Sequence, residues 1–440
     1  MKRFVIEGGT VVTMNGDRSI ERADVLVEDG QIVGVGSMTL PLGTPTLDAR
    51  GCIVLPGFVQ AHTHVCQTLC RGYADDLPLL AWLKERVWPY EAALDERAMR
   101  ACARLAAAEL LLGGTTAILD MGTVHETDVL CDALGRTGLR ATVGKAMMDV
   151  GDGVPARMRE DTHQSLADSD ALRERWDGTF GGRLRWAYAP RFVLSCTEAL
   201  LAEVGARVQA DAFVHSHASE QEAEIALVRQ ERGMDNIAYF ERLGLAGPRA
   251  TLAHCVHATH DERRLLAESG TNIVHCPSSN LKLASGIAPI PEMLAEGIHV
   301  ALGADGAPCN NNLDAFVELR LAALLHKPRV GAAGMTAAEA LEMATRAGAR
   351  ALGLADRIGS IEPGKRADVI VVDPRTAHAT PSEDPVSTLV YACQSRDVRH
   401  VMVDGRLLVE NHQLTSLTGL DLPEVLATAR SESARLRARL

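Results

Sequence analysis

A chain of 440 residues with 47% hydrophobic and 23% charged residues is ordinary globular material, long enough for two or three domains or for one large barrel with additions. Aromatic residues are scarce at 4%, so the core must be aliphatic. The formal net charge of -12 argues against a nucleic-acid partner, because phosphate-binding domains carry a basic footprint; a small neutral or zwitterionic substrate suits it better.

The ten cysteines are dispersed with no CxxC pair, which argues against a thiolate zinc site or a thioredoxin-like motif. The N-terminus, MKRFVIEGGTVV, meets a charge and two glycines before any long apolar stretch, so it does not read as a signal peptide. The most apolar region, Leu105 to Leu119, is interrupted by Glu109 and Gly113-Gly114 and is too short to span a bilayer. Cytoplasmic residence with reduced thiols is the expectation.

From residue 4 to 55 short β-branched runs alternate with turn signals. Phe4-Ile6, Thr10-Met14, Ala23-Glu28 and Gln31-Val35 are separated by Gly8-Gly9, Asn15-Gly16 and Asp29-Gly30, and Asn-Gly and Asp-Gly are hairpin signals. After Pro56 strands alternate with long helical patterns, the mark of a parallel α/β sheet. The strand candidates are Phe58-His62, Thr115-Asp120, Ala141-Lys145, Leu184-Tyr188, Ala212-His217, Ala250-His254, Asn272-His275 and Ile298-Gly303. Helical stretches such as Ala98-Leu112, Ala199-Gln209, Glu220-Gln230 and Asp261-Ser269 lie between them. Eight such steps predict an α/β fold of the (β/α)8 TIM-barrel type over residues 57–357. Strand texture returns at Ile358-Ile361, Ala367-Val372, Val398-Val403 and Arg406-Leu408, with Asp404-Gly405 as a further hairpin turn and a helix from Leu422 to Leu440. Residues 1–56 and 358–440 are expected to build a small β-sandwich domain from both chain ends.

The residues suited to chemistry fall at the ends of candidate strands. His62 and His64 end the first, and residues i and i+2 on a strand share a face, so both imidazoles project from one sheet edge. Two neutral imidazoles there are half of what a divalent metal needs. His215 and His217 end the fifth strand, His254 the sixth and His275 the seventh, and Asp305 follows the eighth. In barrels of this type the strand C-termini converge on one face and supply the catalytic residues. There is no P-loop, GxSxG elbow, HExxH or cytidine-deaminase signature.

The stretches PGFVQAHTH, RGYADDLPLLAWL, HSHASE, LAHCVH, HCPSSNLKLASGIAP, LGADGAPCNNNLD and IGSIEPGKRADVIVVD spread over most of the chain. In them the chain resembles the deaminase branch of the amidohydrolase superfamily, near the 5-methylthioadenosine/S-adenosylhomocysteine deaminases and 5′-deoxyadenosine deaminases. That resemblance implies a metal-dependent hydrolytic deaminase of an adenosine-type nucleoside, releasing ammonia. Guanine-, 8-oxoguanine- or pterin-type deamination and chlorotriazine hydrolysis are alternatives on the same scaffold, and an inactive barrel serving in assembly is a third.

Carried over residue by residue, the resemblance implies that His62, His64, His217 and Asp305 hold the metal, Zn²⁺ with Fe²⁺ as the alternative. Binuclear relatives carry a carboxylated lysine after the fourth strand; here Tyr188-Ala189-Pro190-Arg191 stands there, so one metal is expected. Glu220 matches the HxxE glutamate that protonates the purine ring, and His254 and Asp305 flank the water and move its proton. His215 reads as structural, and His257 and His275 as partners that orient ligands. Trp82 matches a tryptophan near the substrate, whereas Trp88 reads as core. Arg191 and Cys309 depart from the methylthioadenosine/adenosylhomocysteine pattern, which tends to place His and Ser there, and both are expected to face the substrate. A small purine-type molecule and a second copy of the chain are the expected partners, with no nucleic acid or membrane.

Overall fold

The computed structural model describes residues 3–38 and 43–440. Strands from both ends of the chain meet in one nine-stranded sheet. Its centre is Ile53–Pro56, parallel to Arg3–Val12 on one side and antiparallel to Val369–Val372 on the other. The sheet curls enough for Gln31, opening the strand Gln31–Gly36, to bridge to Arg366 just ahead of Val369–Val372. The curl encloses an aliphatic core that includes Ile6, Val25, Ile32, Val54, Val369 and Met402.

The two-residue turns form where Asp-Gly stands. Asp29 and Gly30 (φ 47° and 81°) join Glu28 to Gln31, and Asp404 and Gly405 (φ 55° and 72°) join Val403 to Arg406. Positive φ at both central positions is the turn whose twist matches a hairpin. Gly8-Gly9 behaves differently from the expectation. It lies inside the single strand Arg3–Val12, where Gly8 has φ +69° and the register to the next strand shifts between Ile6 and Gly9. An inserted residue bulges the strand instead of ending it. Ile358-Ile361 forms no strand; it is a turn region with both isoleucines buried and the Ile361 amide bonded to the Thr13 carbonyl.

Pro56 and Gly57 pass the chain from this sheet into the parallel strands. A Cβ at Gly57 would lie 2.1 Å from Thr116 Cγ2, so only glycine lets the chain run that close to its neighbour. The parallel strands are β1 (Phe58–His64), β2 (Thr115–Asp120), β3 (Arg140–Val143), β4 (Leu184–Trp186), β5 (Val214–Ala218), β6 (Ala250–His254), β7 (Asn272–His275) and β8 (His299–Leu302). Hydrogen-bonded pairs link β4 to β3, β3 to β2 and β2 to β1, and likewise β5 through β8. Tyr188, beyond β4, bridges to Val214 of β5, and β8 runs on into Asp305–Gly306, which pairs with β1. This is the connectivity expected of a (β/α)8 barrel, with the functional candidates gathered at the strand C-termini.

Two contacts tie the parts together. Arg140, at the start of β3 and 1% exposed, holds Asp368 with two hydrogen bonds of 2.7 and 2.9 Å. At the far end the helix Leu422–Arg437 packs on Glu96–Leu112, and Arg435 donates to both oxygens of Asp95, the residue capping that second helix.

Candidate active site

β1 extends two residues further than the sequence suggested, so His62 and His64 both lie within the strand and face one side. His217 comes from the end of β5, His254 from the end of β6, and Asp305 from the pair after β8. His62, His64 and Asp305 converge as one cluster of potential ligand atoms, and His62, His217 and His254 as another. His62 Nε2 lies 3.2 Å from Asp305 Oδ1, His64 Nε2 3.5 Å from the same oxygen, and His64 Nε2 3.1 Å from His217 Nε2. With bonds of about 2.1 Å, the edge of a tetrahedron around Zn²⁺ is ~3.4 Å, so these separations fit donors waiting on one ion.

The neighbours set the tautomers this requires. His217 Nδ1 donates to the Arg191 carbonyl at 2.6 Å, which leaves Nε2 as a lone pair toward the centre. His62 Nδ1 meets His215 Nε2 at 2.6 Å, and His62 Nε2 is buried with no hydrogen-bond partner. His215 therefore shares the inward face of β5 one layer below His217 and supports His62, the structural role expected of it. Burial pushes the His62, His64 and His217 imidazoles below their usual range, which keeps them neutral and able to ligate.

Glu220 precedes the helix Glu222–Arg232, on the loop beyond β5, and not within the helix as the periodicity suggested. It is buried, and burial raises its carboxyl to about 7 despite the opposing pull of His254. Glu220 Oε2 lies 3.6 Å from His254 Nε2, and Oε1 accepts from Ser285 Oγ at 3.2 Å. His254 is held by Asn280 Oδ1 at 2.9 Å on its other nitrogen. Burial opposes its protonation, but the carboxylates of Glu220 and Asp305 outweigh that and hold it above its usual range. Ser279 Oγ donates to Asp305 Oδ2 at 2.6 Å, and the Gly306 amide donates to Oδ1 at 2.8 Å. Three residues here adopt positive φ, Ser219 (49°), His254 (71°) and Asp305 (63°), a strain that side chains accept where the backbone is over-determined at a working site.

His64, His217, Glu220, His254 and Asp305 line a cavity together with Leu79, Trp82 and Leu83. Trp82 lines this cavity and packs in the same buried apolar cluster as Trp88, and neither indole N–H has a partner among the described residues. Arg191 also lines the cavity, but its guanidinium is bidentate to Glu91 at 2.7 and 3.0 Å, both side chains being buried. Cys309 is fully buried beside Trp82 and outside the cavity lining, its thiol 3.0 Å from the Gly306 carbonyl. His257 reaches the Ser285 carbonyl at 2.7 Å and so braces the Glu220 loop rather than a ligand. His275 does not touch the site; its ring packs against His326. Sequence reasoning missed Gln67, Glu91, Ser279, Asn280 and Ser285. Three of these lie in HCPSSNLKLASGIAP and Gln67 lies three residues beyond His64, whereas nothing local marks Glu91.

The amidohydrolase family model matches residues 53–408. The 5-methylthioadenosine/S-adenosylhomocysteine deaminase of Halobacterium salinarum is 43% identical over 98% of this chain and 97% of its own length. The 5′-deoxyadenosine deaminase of Methanosarcina acetivorans is 36% identical over 100% and 99%. Among solved structures, an adenosine deaminase from Xanthomonas campestris with bound zinc is 35% identical, with a TM-score of 0.91 over 99% of this chain and 98% of that one. Among the described residues no helix is long and apolar enough to cross a membrane. Nearly full-length matches of this strength, on a chain whose histidines and aspartate meet at the strand ends, make it a member of the amidohydrolase family.

Proposed function

We propose that the chain is a metal-dependent hydrolytic deaminase of an adenosine-type nucleoside, replacing the 6-amino group by oxygen and releasing ammonia. The observation that carries this is the convergence of His62, His64, His217 and Asp305 at tetrahedral-edge distances, with Glu220 and His254 3.6 Å apart beside them. Those four residues would hold one divalent ion, zinc by donor type and by the zinc in the similar adenosine deaminase. Such an ion supplies Lewis acidity and a water-derived nucleophile at neutral pH.

The chain's own residues supply the proton handling. Glu220, with its carboxyl near 7, is poised to give a proton to the ring nitrogen next to the amino-bearing carbon. His254 and Asp305 take one proton from the attacking water and pass it to the leaving amino group, and the second water proton restores Glu220, so that water's oxygen stays on the ring as a carbonyl and ammonia departs. The burial of Glu220 and the charge around His254 hold the two groups ready for opposite tasks. The ten buried free cysteines suit a reducing, cytoplasmic setting. The test is ammonia release from a panel of adenosine, 5′-deoxyadenosine, methylthioadenosine, adenosylhomocysteine, guanine and 8-oxoguanine, followed by ultraviolet absorbance. Turnover of the adenine nucleosides supports the reading; turnover of the guanine bases alone sinks it.

A further inference from the structure

Outside the cavity stands a carboxylate that the chemistry above leaves unused. Glu318, in the helix Ala315–Leu325, is buried, yet the groups it accepts from are all neutral. Its Oε2 accepts from the Ser278 backbone amide at 3.2 Å, and its Oε1 accepts from the Ser278 hydroxyl and, at 2.9 Å, from Asn310 Nδ2. Burial pushes its carboxyl up to about 7 against the pull of those donors, so the fold gives up stability to keep it. Three donors meet two oxygens here, a demand that only an acceptor-only group satisfies. A glutamine would set its own N–H₂ against one of them.

Both partners of Glu318 lead to the working residues. Ser278 belongs to the short helix Pro277–Lys282. From that helix Ser279 Oγ donates to Asp305 Oδ2 at 2.6 Å, and Asn280 Oδ1 meets His254 Nδ1 at 2.9 Å. On the other side, Asn310 Nδ2 also donates to the carbonyl of Ala304, the residue before Asp305, at 2.8 Å. The Asn310 amide cannot turn over, because both its neighbours are acceptors and a flip would set oxygen against oxygen. One carboxylate thus ties the helix that carries Ser279 and Asn280 to the turn in which Asp305 is held at φ 63°.

We propose that Glu318 is a positioning residue of the metal centre, acting through Ser278 and Asn310 to fix Asp305 and His254. This rests on the metal-dependent reading above. Partners that orient a ligand from behind typically contribute 10- to 100-fold in metal affinity, and Glu318 reaches Asp305 by two routes.

The experiment titrates Zn²⁺ into metal-free wild type and Glu318→Gln in competition with a chromophoric chelator, with thermal unfolding of the same metal-free samples alongside. Zinc affinity is expected to fall about tenfold or more. The metal-free variant should melt close to the wild type, since a lost hydrogen bond is offset by removal of a buried charge. A merely structural glutamate would move the melting temperature and leave the affinity alone. Glu318→Gln should also cost less zinc affinity in a Ser279→Ala background than in the wild type, because one of its two routes is already cut. Unchanged affinity in Glu318→Gln, or full additivity with Ser279→Ala, overturns the inference. If Glu318→Gln does not fold, Ser278→Ala and Asn310→Ala each cut one arm and give the same readout. A wild type that binds no zinc fails the metal-dependent reading and takes this inference with it.

Discussion

Replacing Glu220 by glutamine separates chemistry from structure, because the change removes one ionisable proton and almost no volume. Glu220 is not among the converging ligand atoms, so Glu220→Gln should keep the metal. General acid–base groups contribute roughly 10² to 10⁴ in rate, and turnover should fall at least that far. Stability should move the other way. A carboxyl raised to about 7 from an ordinary 4.5 is more easily protonated in the folded chain than in the unfolded one. Such a group destabilises the fold at any pH above its unfolded value, by about 3 kcal/mol at pH 7. Glutamine carries no such penalty and can still accept from Ser285 Oγ. The expected result is thus a dead, metal-loaded protein that melts no lower than the wild type, the trade expected where a site is strained for function. Ammonia release, elemental analysis and thermal unfolding check the three parts. Retention of more than about a tenth of wild-type kcat would refute the role, as would a loss of activity that tracks loss of metal.

The other expectations are more local. His217→Ala should lower metal content from about one ion per chain toward none, because it removes a ligand and not merely a rate; two ions in the wild type would contradict the single site. Arg191→Met leaves the buried Glu91 charge without its cation and should cost about 3–5 kcal/mol in urea denaturation, with most of it recovered in Arg191→Met/Glu91→Leu; a cost near zero would mean the pair matters little. Asp95→Asn should weaken the clamp on the C-terminal helix. The hydrogen bonds from Arg435 hold the Asp95 carboxyl below its usual range, so its stabilisation is present above about pH 4 and fades as pH falls. The difference in melting temperature between Asp95→Asn and wild type should therefore shrink from pH 7 toward pH 3.

The clustering of histidines and Asp305 at the strand ends was legible because its signals are local and repeat. Each of these residues sits at or just beyond the end of a strand whose apolar run and flanking turn can be read in isolation, and period-two alternation alone puts His62 and His64 on one face. The Asp-Gly turns were legible for the same reason. Gly8-Gly9 misled because a bulge and a turn ask for the same residue; only the partner strand, pairing on both sides of the shift, distinguishes them. Glu220 lies on the loop although helix periodicity runs through it, because the capping residue Gln221 starts the helix later than the apolar pattern does.

Arg191 shows where local reading stops. A lone arginine at the end of a barrel strand invites a substrate anion, and the sequence carries no mark that its partner lies at Glu91, 100 positions earlier. Once the pair is seen, the electrostatics of the cavity change. The guanidinium and carboxylate neutralise each other, so this wall presents no net charge to an incoming ligand, and an anionic tail gains little from Arg191 itself. What the pair does set is orientation: it fixes which end of the Gln67 amide meets Glu91. Two residues that line the cavity carry buried neutral atoms without partners, Gln67 Oε1 and the Trp82 indole N–H, one acceptor and one donor.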